Sequence, residues 1–458
     1  MASPPIDWRA VEQEALHHLK QLLRIDTSNP PGNEAPAADY IATVLGEAGI
    51  EHTVRQCAPG RKNLVARLRG SGKQGPLLLN GHLDVVPADP SEWQHPPFEA
   101  AEADGCVWGR GAIDMKNMVA MSLVTLLLLH RRGVPLERDV IFAAVADEEA
   151  GSAKGSLYLV EEHPELVRAE YVLNEVGGYT LHMGAERFYP IQVSEKGICW
   201  FEIIAEGTSG HGSMPRRDNP VLRVARAVEA LAAARLELRA TPVVAQFLKT
   251  VAKGAPFPGD RLLPLLVEPR LAQHLLKLLE RRDPDQARGI GAMLRETVSP
   301  TVLRAGGTIN VIPSRASVQV DGRLLPGRTV AEFLADVERA VGPGVKLNVL
   351  TEHAGVEFPT DTPLYEALRG ALLRHDPGAT VVPYMIPGFT DAFAYARLGA
   401  ICYGFSPLKL PVGMNFTGMY HGKDERIPID GFFWGTRVLY ELVEGFCRSG
   451  GASAPAQG

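Results

Sequence analysis

An apolar run, Leu77-Leu78-Leu79-Asn80, leads into Gly81-His82-Leu83-Asp84-Val85-Val86-Pro87. Residues two apart on an extended segment point the same way, so His82 and Asp84 share a face at a strand end, where open α/β sheets place their sites. A metal-bound imidazole usually gives its second N–H to an acceptor, and Asp84 stands where it could be one. The pair reads equally well as a satisfied core histidine beside a turn aspartate. Asp114, in Gly109-Arg110-Gly111-Ala112-Ile113-Asp114-Met115-Lys116, directly precedes an apolar helical stretch. It reads either as an N-cap or as a ligand. A buried-strand pattern over 140–146 ends in Asp147-Glu148-Glu149. Acids at a helix start complement the dipole, but three at the end of a buried strand carry a desolvation cost that a dication would offset. Adjacent residues there point in different directions, so one Glu can bind metal while its neighbour faces a water. A further strand pattern over 170–175 ends in Glu175, and His421 lies far downstream in Met419-Tyr420-His421-Gly422-Lys423-Asp424-Glu425. Alone, His421 is a surface-loop histidine.

Together these side chains form a set of hard oxygen and borderline nitrogen donors with no sulfur. That mixture suits paired Zn²⁺, with Mn²⁺ or Co²⁺ as substitutes. A carboxylate bridging two ions about 3.5–4 Å apart is the arrangement of hydrolytic two-metal sites.

The elements that must position these residues follow from periodicity. Helices are expected over 7–25 and 37–48, separated by a Pro/Asn/Gly loop, then short apolar strands over 63–68, 77–80 and 140–146. Helices over 115–131 and 154–162 alternate with the strands. Strand–helix alternation with unbroken apolar strands argues for an α/β sheet covered on both faces. Near residue 193 the pattern changes to half-exposed strands, 199–206 and 317–323, with amphipathic helices over 220–240 and 330–341. This reads as a smaller α+β domain inserted into the first. After residue 356 the α/β pattern resumes with helix 364–375, strand 400–403 and helix 431–446. The expected division is 1–192 and 356–458 for the first domain and 193–355 for the insertion, with 241–300 a Leu/Pro-rich helical excursion.

Bulk properties exclude other classes. With a net charge of −6 and no dense Lys/Arg cluster, nucleic-acid binding is not expected. The five cysteines are scattered, odd in number and without CxxC spacing, which reads as a reduced, cytoplasmic protein. The most apolar run, 118–130, is too short to span a bilayer, and the N-terminus has no signal-peptide pattern, so no membrane partner is expected. The small, polar tail 449–458 is expected to be disordered.

The motifs GHLDVVP, GRGAIDMK, DEEAG and MYHGKDE, in this order and at these separations, resemble the metallopeptidase M20 family over nearly the whole chain. That family includes aminoacylases, carboxypeptidases, dipeptidases and desuccinylases. The resemblance implies that His82 and Glu175 bind a first ion, Glu149 and His421 a second, and that Asp114 bridges them. It makes Glu148 the general base and Asp84 the residue orienting His82. The family usually shows an acidic pair where this chain has Asn174-Glu175, so only Glu175 can ligate. The inserted domain resembles the family's lid and dimerisation domain. In it, Gly207-Thr208-Ser209-Gly210-His211-Gly212-Ser213 matches the segment whose His reaches a substrate carbonyl, often in a partner subunit. Asn310 and Arg323 match substrate-contacting positions, and Gly388-Phe389-Thr390-Asp391-Ala392 matches a glycine-rich substrate loop, so Gly388 and Thr390 are also substrate candidates.

The implied protein is a homodimeric hydrolase with two divalent ions, most simply zinc. It would cleave an amide bond adjacent to a free carboxylate, as an N-acyl-amino-acid hydrolase or metallocarboxypeptidase. Alternatives in the same family are a dipeptidase or a desuccinylase or deacetylase. A non-catalytic peptide-binding homologue would be marked by loss of Glu148 or a ligand, and none is lost. The leucine-rich stretch 247–303 and the following AGGTINVIP resemble the branch holding vacuolar carboxypeptidase S and the N-fatty-acyl-amino-acid hydrolases.

Overall fold

Four runs that carry almost no polar side chains, Leu77–His82, Val140–Val145, Tyr171–Asn174 and Ile401–Gly404, can only be satisfied inside a sheet covered on both faces. In the computed structural model, which describes residues 5–234 and 236–448, they lie side by side and parallel. The antiparallel strands Arg61–Leu68 and His52–Ala58 extend one side, beyond Val140–Val145. On the other side Glu186–Glu195 pairs antiparallel with Ile401–Gly404. The protein is therefore α/β, with a central mixed sheet flanked by helices. Helix Lys116–Arg131 is buried along nearly its whole length, and helices Trp8–Leu23 and Ile429–Cys447 pack against it. Ala35–Glu47 packs on the Arg61–Leu68 strand. The tail 449–458 lies outside the described residues.

The chain divides into two compact units. One comprises, among the described residues, 5–193, 358–383 and 390–448, and the other 194–234, 236–357 and 384–389. The second unit is built on an antiparallel sheet in the order Thr297–Ala305, Arg315–Leu324, Gly197–Glu206, Lys346–His353. One face packs on helices Pro220–Ala233 and Val330–Val341, and Phe201, Phe333, Val224, Val320 and Val337 form its core. The apolar positions alternate along Gly197–Glu206, as a sheet with one wet face requires.

Several boundaries differ from the periodic reading. The helix expected over 220–240 stops at Ala233, because Ala234 turns extended and Leu238 pairs with Arg295. Thr241 then caps a new helix, Pro242–Val251, through its side-chain oxygen. The excursion holds the further helices Pro269–Arg282 and Pro284–Leu294, but its last residues leave it: Thr297–Ala305 is an edge strand of the second sheet. Its β-branched residues suit a pleated, half-exposed surface better than a helix. Strands His52–Ala58 and Lys346–His353 carry too many polar residues to stand out by pattern, and Thr380–Ile386 is interrupted by Pro383. Among the described residues no helix is long and apolar enough to cross a membrane.

Phe333 is fully buried, with its ring edge-on to Phe201 at 6.3 Å between centroids. Phe333→Ala should destabilise the second unit by about 3–5 kcal/mol through lost transfer energy and a residual cavity. Denaturant unfolding checks this, and a loss below about 1 kcal/mol would show that this core can collapse around the gap.

Candidate metal centre

Parallel register assembles the site. Leu77 pairs with both Val140 and Tyr171, so these strands run in the same direction and end together. His82 closes one strand, Asp147-Glu148-Glu149 follows the second almost at once, and Glu175 directly follows the third. Asp147 takes a left-handed φ of 69°, which turns the chain sharply as it leaves the sheet.

Asp114 does not serve as an N-cap. Helix Lys116–Arg131 is capped by Met115 with no side-chain bond, and Asp114 turns inward instead. Its Oδ1 lies 3.1 Å from His82 Nε2, and its Oδ2 lies 3.4 Å from His421 Nε2. His82 Nε2 is also 3.6 Å from Glu175 Oε2 and 4.0 Å from Glu148 Oε2. His421 Nε2 is 3.0 Å from Glu149 Oε2. Two sets of donors result, His82–Asp114–Glu175 and Asp114–Glu149–His421, each with its ligand atoms within 4.8 Å of one another. Asp114 belongs to both, one oxygen toward each. Glu148 belongs to neither and stands at their edge. His421 remains half exposed on its loop, with a left-handed φ of 56° that turns the ring to the carboxylates.

The electrostatics are those of a cluster built to hold cations. Burial, reinforced by the charge of Glu175, pushes Glu148 well above the usual carboxylate range. Burial likewise pushes Glu175 up to about 8, and burial with the charge of Asp114 raises Glu149. Hydrogen bonds to Asp114 and Glu149 push His421 up to about 10. Burial works against a charge on His82, but the surrounding carboxylates outweigh it and hold the imidazole well above its ordinary value. Hard donors in two adjoining sets with too little positive charge of their own fit two divalent ions.

Asp84 acts differently from the sequence expectation. His82 Nδ1 donates to the main-chain carbonyl of Asp84 at 2.9 Å, while the nearer carboxylate oxygen is 3.6 Å away. The carboxylate instead accepts from the backbone N–H groups of Glu148 and Glu149, both at 3.1 Å, and from Asn29 Nδ2 at 2.8 Å. Despite complete burial, which works to raise it, the neighbouring His82 holds it below the usual range, helped by the bonds from Asn29 and the Glu148 N–H. Asp84 therefore pins the turn that carries both glutamates.

Other residues that shape the site are given no role by the sequence. Arg61 forks onto Glu34 and reaches Asp147 at 2.8 Å, taking Asp147 out of the donor set. Glu425 is fully buried and accepts from Arg110 Nη1 (2.8 Å) and from the N–H groups of Gly111, Ile113 and Asp114. It ties the Asp114 loop to the His421 loop. Its signal was present four residues after His421, but an acid in a Lys-Asp-Glu run reads as solvated.

The remaining predicted residues belong to neither donor set. His211 is exposed in the second unit, on a two-residue strand paired with Val311–Ile312, and Asn310 adjoins it through its carbonyl, which accepts from Gly212 N at 2.7 Å. Arg323 is not free: its Nε and Nη2 pair with Asp321 at 2.7 and 3.0 Å, and its guanidinium lies over Phe389. The Gly388 carbonyl accepts from Lys196 N. Thr390 belongs to the first unit and is fully buried, its hydroxyl oxygen accepting from Asn174 Nδ2 at 3.0 Å. A buried hydroxyl already engaged this way supports the Glu175 strand, so direct contact with a substrate does not suit it.

Residues 78–445 match the model of peptidase family M20/M25/M40. The chain belongs to this family. It is 28% identical over 462 residues to human N-fatty-acyl-amino acid synthase/hydrolase PM20D1, covering 95% of this chain and 88% of that protein. It is 26% identical to mouse aminoacylase-1, covering 94% of this chain and 95% of the relative. Its fold is that of an M20 family metallo-carboxypeptidase from Sulfolobus solfataricus, with a TM-score of 0.73 at 18% identity, covering 94% of this chain and 99% of the other. The family member described here is a metal-dependent amide hydrolase.

Because Asp84 holds the Glu148–Glu149 turn by two amide bonds, Asp84→Asn should loosen it without removing a donor from either set. Apparent affinity for divalent metal should fall about 10–100-fold. Competition against a chromophoric chelator measures this, and unchanged affinity would mean that the turn holds its shape alone.

Proposed function

We propose that the protein is a zinc-dependent hydrolase of N-acyl amino acids with bulky apolar acyl groups, in which the free carboxylate of the amino acid is recognised. The observation that carries the reading is the pair of donor sets sharing Asp114, with Glu148 beside them and outside both. The proposed ligands are His82, Asp114 and Glu175 for one ion and Asp114, Glu149 and His421 for the other. When bound, the ions supply Lewis acidity to the scissile carbonyl and acidify water.

The chain's own residues do the rest. Glu148 accepts a proton from the attacking water as its oxygen bonds to the carbonyl carbon. Glu148 then returns that proton to the amide nitrogen as the C–N bond breaks, leaving the free amine and the carboxylic acid. Standing outside both donor sets, its carboxylate stays available to take and return the proton. His211 is assigned to the substrate carbonyl, and Asn310, Gly388 and Arg323 to the substrate. Asp321 occupies the Nε–Nη2 edge of Arg323, which leaves the Nη1 end of the planar guanidinium for a carboxylate. A homodimer formed through the second unit belongs to the same reading; the exposed apolar side chains Leu303 and Leu350 on its two edge strands support it. A cytoplasmic setting accords with five free cysteines.

Glu148→Gln should keep the fold and two equivalents of metal by elemental analysis, yet lose on the order of 10²–10⁴ in kcat, because an amide cannot take the proton. Near-normal turnover in the loaded variant would remove Glu148 from the role.

The acyl preference rests on the apolar excursion, where Leu265, Leu271 and Leu278 stand exposed, and on the substrate class in the human relative's name. If these leucines meet the acyl chain, each buried methylene contributes about 0.8 kcal/mol to binding. On one amino acid, kcat/KM should then rise from acetyl through octanoyl to longer chains, and Arg323→Ala should raise KM without changing metal content. A flat series would favour a short-acyl aminoacylase or a dipeptidase, and equal rates on carboxamide-blocked substrates would take Arg323 off the carboxylate.

A further inference from the structure

Beneath the donor sets lies a second layer with no ligand in it. Asp391 is fully buried in the loop after strand Thr380–Ile386, at the start of helix Ala392–Ala396. Its Oδ1 accepts from Ser152 Oγ at 2.7 Å and Ser156 Oγ at 2.5 Å. Its Oδ2 accepts from Asn80 Nδ2 at 2.9 Å. The same Asn80 amide donates to Asn174 Oδ1 at 3.0 Å, and Asn80 Oδ1 accepts from Tyr395 OH at 2.6 Å. Asn174 Nδ2 then donates to Thr390 Oγ1. All these residues are completely shielded from solvent or nearly so.

The polarity of this network has one origin. An amide can face either way, and a hydroxyl can give or take. An ionised carboxylate can only accept. Asp391 therefore forces the Asn80 amide to present its NH₂, which leaves the Asn80 oxygen for Tyr395 and turns the Asn174 oxygen inward. Asn80 stands two residues before His82 on one strand and so on the same face of the sheet, one pleat below the ring. Asn174 directly precedes Glu175 on the neighbouring parallel strand. Ser152 belongs to the turn after Glu148 and Glu149. One carboxylate thus touches, directly or through one amide, every sheet-end segment that carries a donor.

We propose that Asp391 is a positioning residue for the His82–Asp114–Glu175 ion, acting through the orientation of Asn80 and Asn174. The proposal rests on the two-ion reading above.

The test is an exchange of acceptor and donor. In Asp391→Asn the side chain can still offer its oxygen to Asn80 Nδ2 and its NH₂ to the Ser152 and Ser156 hydroxyls, but the charge that fixes this polarity is gone, so the Asn80 and Asn174 amides are free to turn over. In the double variant Asp391→Asn/Asn80→Asp the acceptor sits on the strand, the amide now at position 391 donates to it, and Tyr395, Asn174 and Thr390 can each reorient to keep every bond. Wild type and variants are titrated with Co²⁺ in the full-length protein against a competing chelator, with thermal unfolding followed alongside. Expected are two equivalents in the wild type, one of them weakened at least about tenfold in Asp391→Asn, and return to within about threefold in the double variant. Metal affinities unchanged in Asp391→Asn, whatever its thermal midpoint, would overturn the proposal, as would failure of the exchange to restore them. Should Asp391→Asn not fold, Ser156→Ala removes one of the three donors and should weaken the same equivalent, and unchanged binding there overturns the proposal equally. A wild type that binds no divalent ion would instead remove the two-ion reading and this proposal with it.

Discussion

Repulsion among buried carboxylates is the constraint around which the first unit is organised. Asp84, Asp114, Glu148, Glu149, Glu175 and Asp391 all lie at the same end of one sheet and are shielded from water or nearly so. At the separations found here, like charges in a low-dielectric interior cost far more than a single hydrogen bond returns. Each acid must therefore have an assigned source of positive charge or of donors. Asp84 and Asp391 are satisfied by backbone N–H, amide and hydroxyl groups. Asp147 and Glu425 are satisfied by Arg61 and Arg110. Asp114, Glu149 and Glu175 face only imidazoles, and Glu148 faces little beyond His82. The division between acids with protein partners and acids without them is the division between scaffold and chemistry.

That division explains how a precise site can be made from loops. The segments carrying Glu148, Glu149 and Glu175 leave strand ends and those carrying Asp114 and His421 are connecting loops, and such segments would otherwise be free to wander. Here each is fastened by a carboxylate from another segment. Asp84 grips the Glu148–Glu149 turn, Glu425 grips the Asp114 loop, and Asp391 grips the Ser152 turn and the Asn80 strand. The acids that repel one another at the centre are held together by acids one layer out.

The sequence showed the donors and the sheet that ends beneath them, because both are read from residue type and period. Four apolar strand cores and the buried helix Lys116–Arg131 could hardly be anything else. What it hid were relations that need three dimensions. The acceptor on His82 is the carbonyl of Asp84, a main-chain atom that any residue would offer. Arg61, Glu34 and Glu425 resemble ordinary surface charges until their partners are known. Two runs, Leu-Leu-Leu-Asn and Tyr-Val-Leu-Asn, end in an asparagine at matching places on adjacent strands, and that coincidence could have suggested the layer below the site. In the second unit, the Leu, Glu, Arg and Ala residues that follow Ala233 favoured helix by propensity, but Leu238 pairs with Arg295 instead.

Strand Ile401–Gly404 sits between Tyr171–Asn174 and Glu186–Glu195, so residues far apart in sequence are interleaved at the middle of the sheet. A chain emerging from the ribosome has made every other strand of this sheet before the one that joins its halves. Until that strand arrives, Tyr171–Asn174 keeps a bare hydrogen-bonding edge, and Asp114 lacks both His421 and the Glu425 clamp. Pairings of such long sequence separation are slow to close and leave sticky edges while they wait. The nascent chain therefore passes most of its synthesis without a complete set of donors.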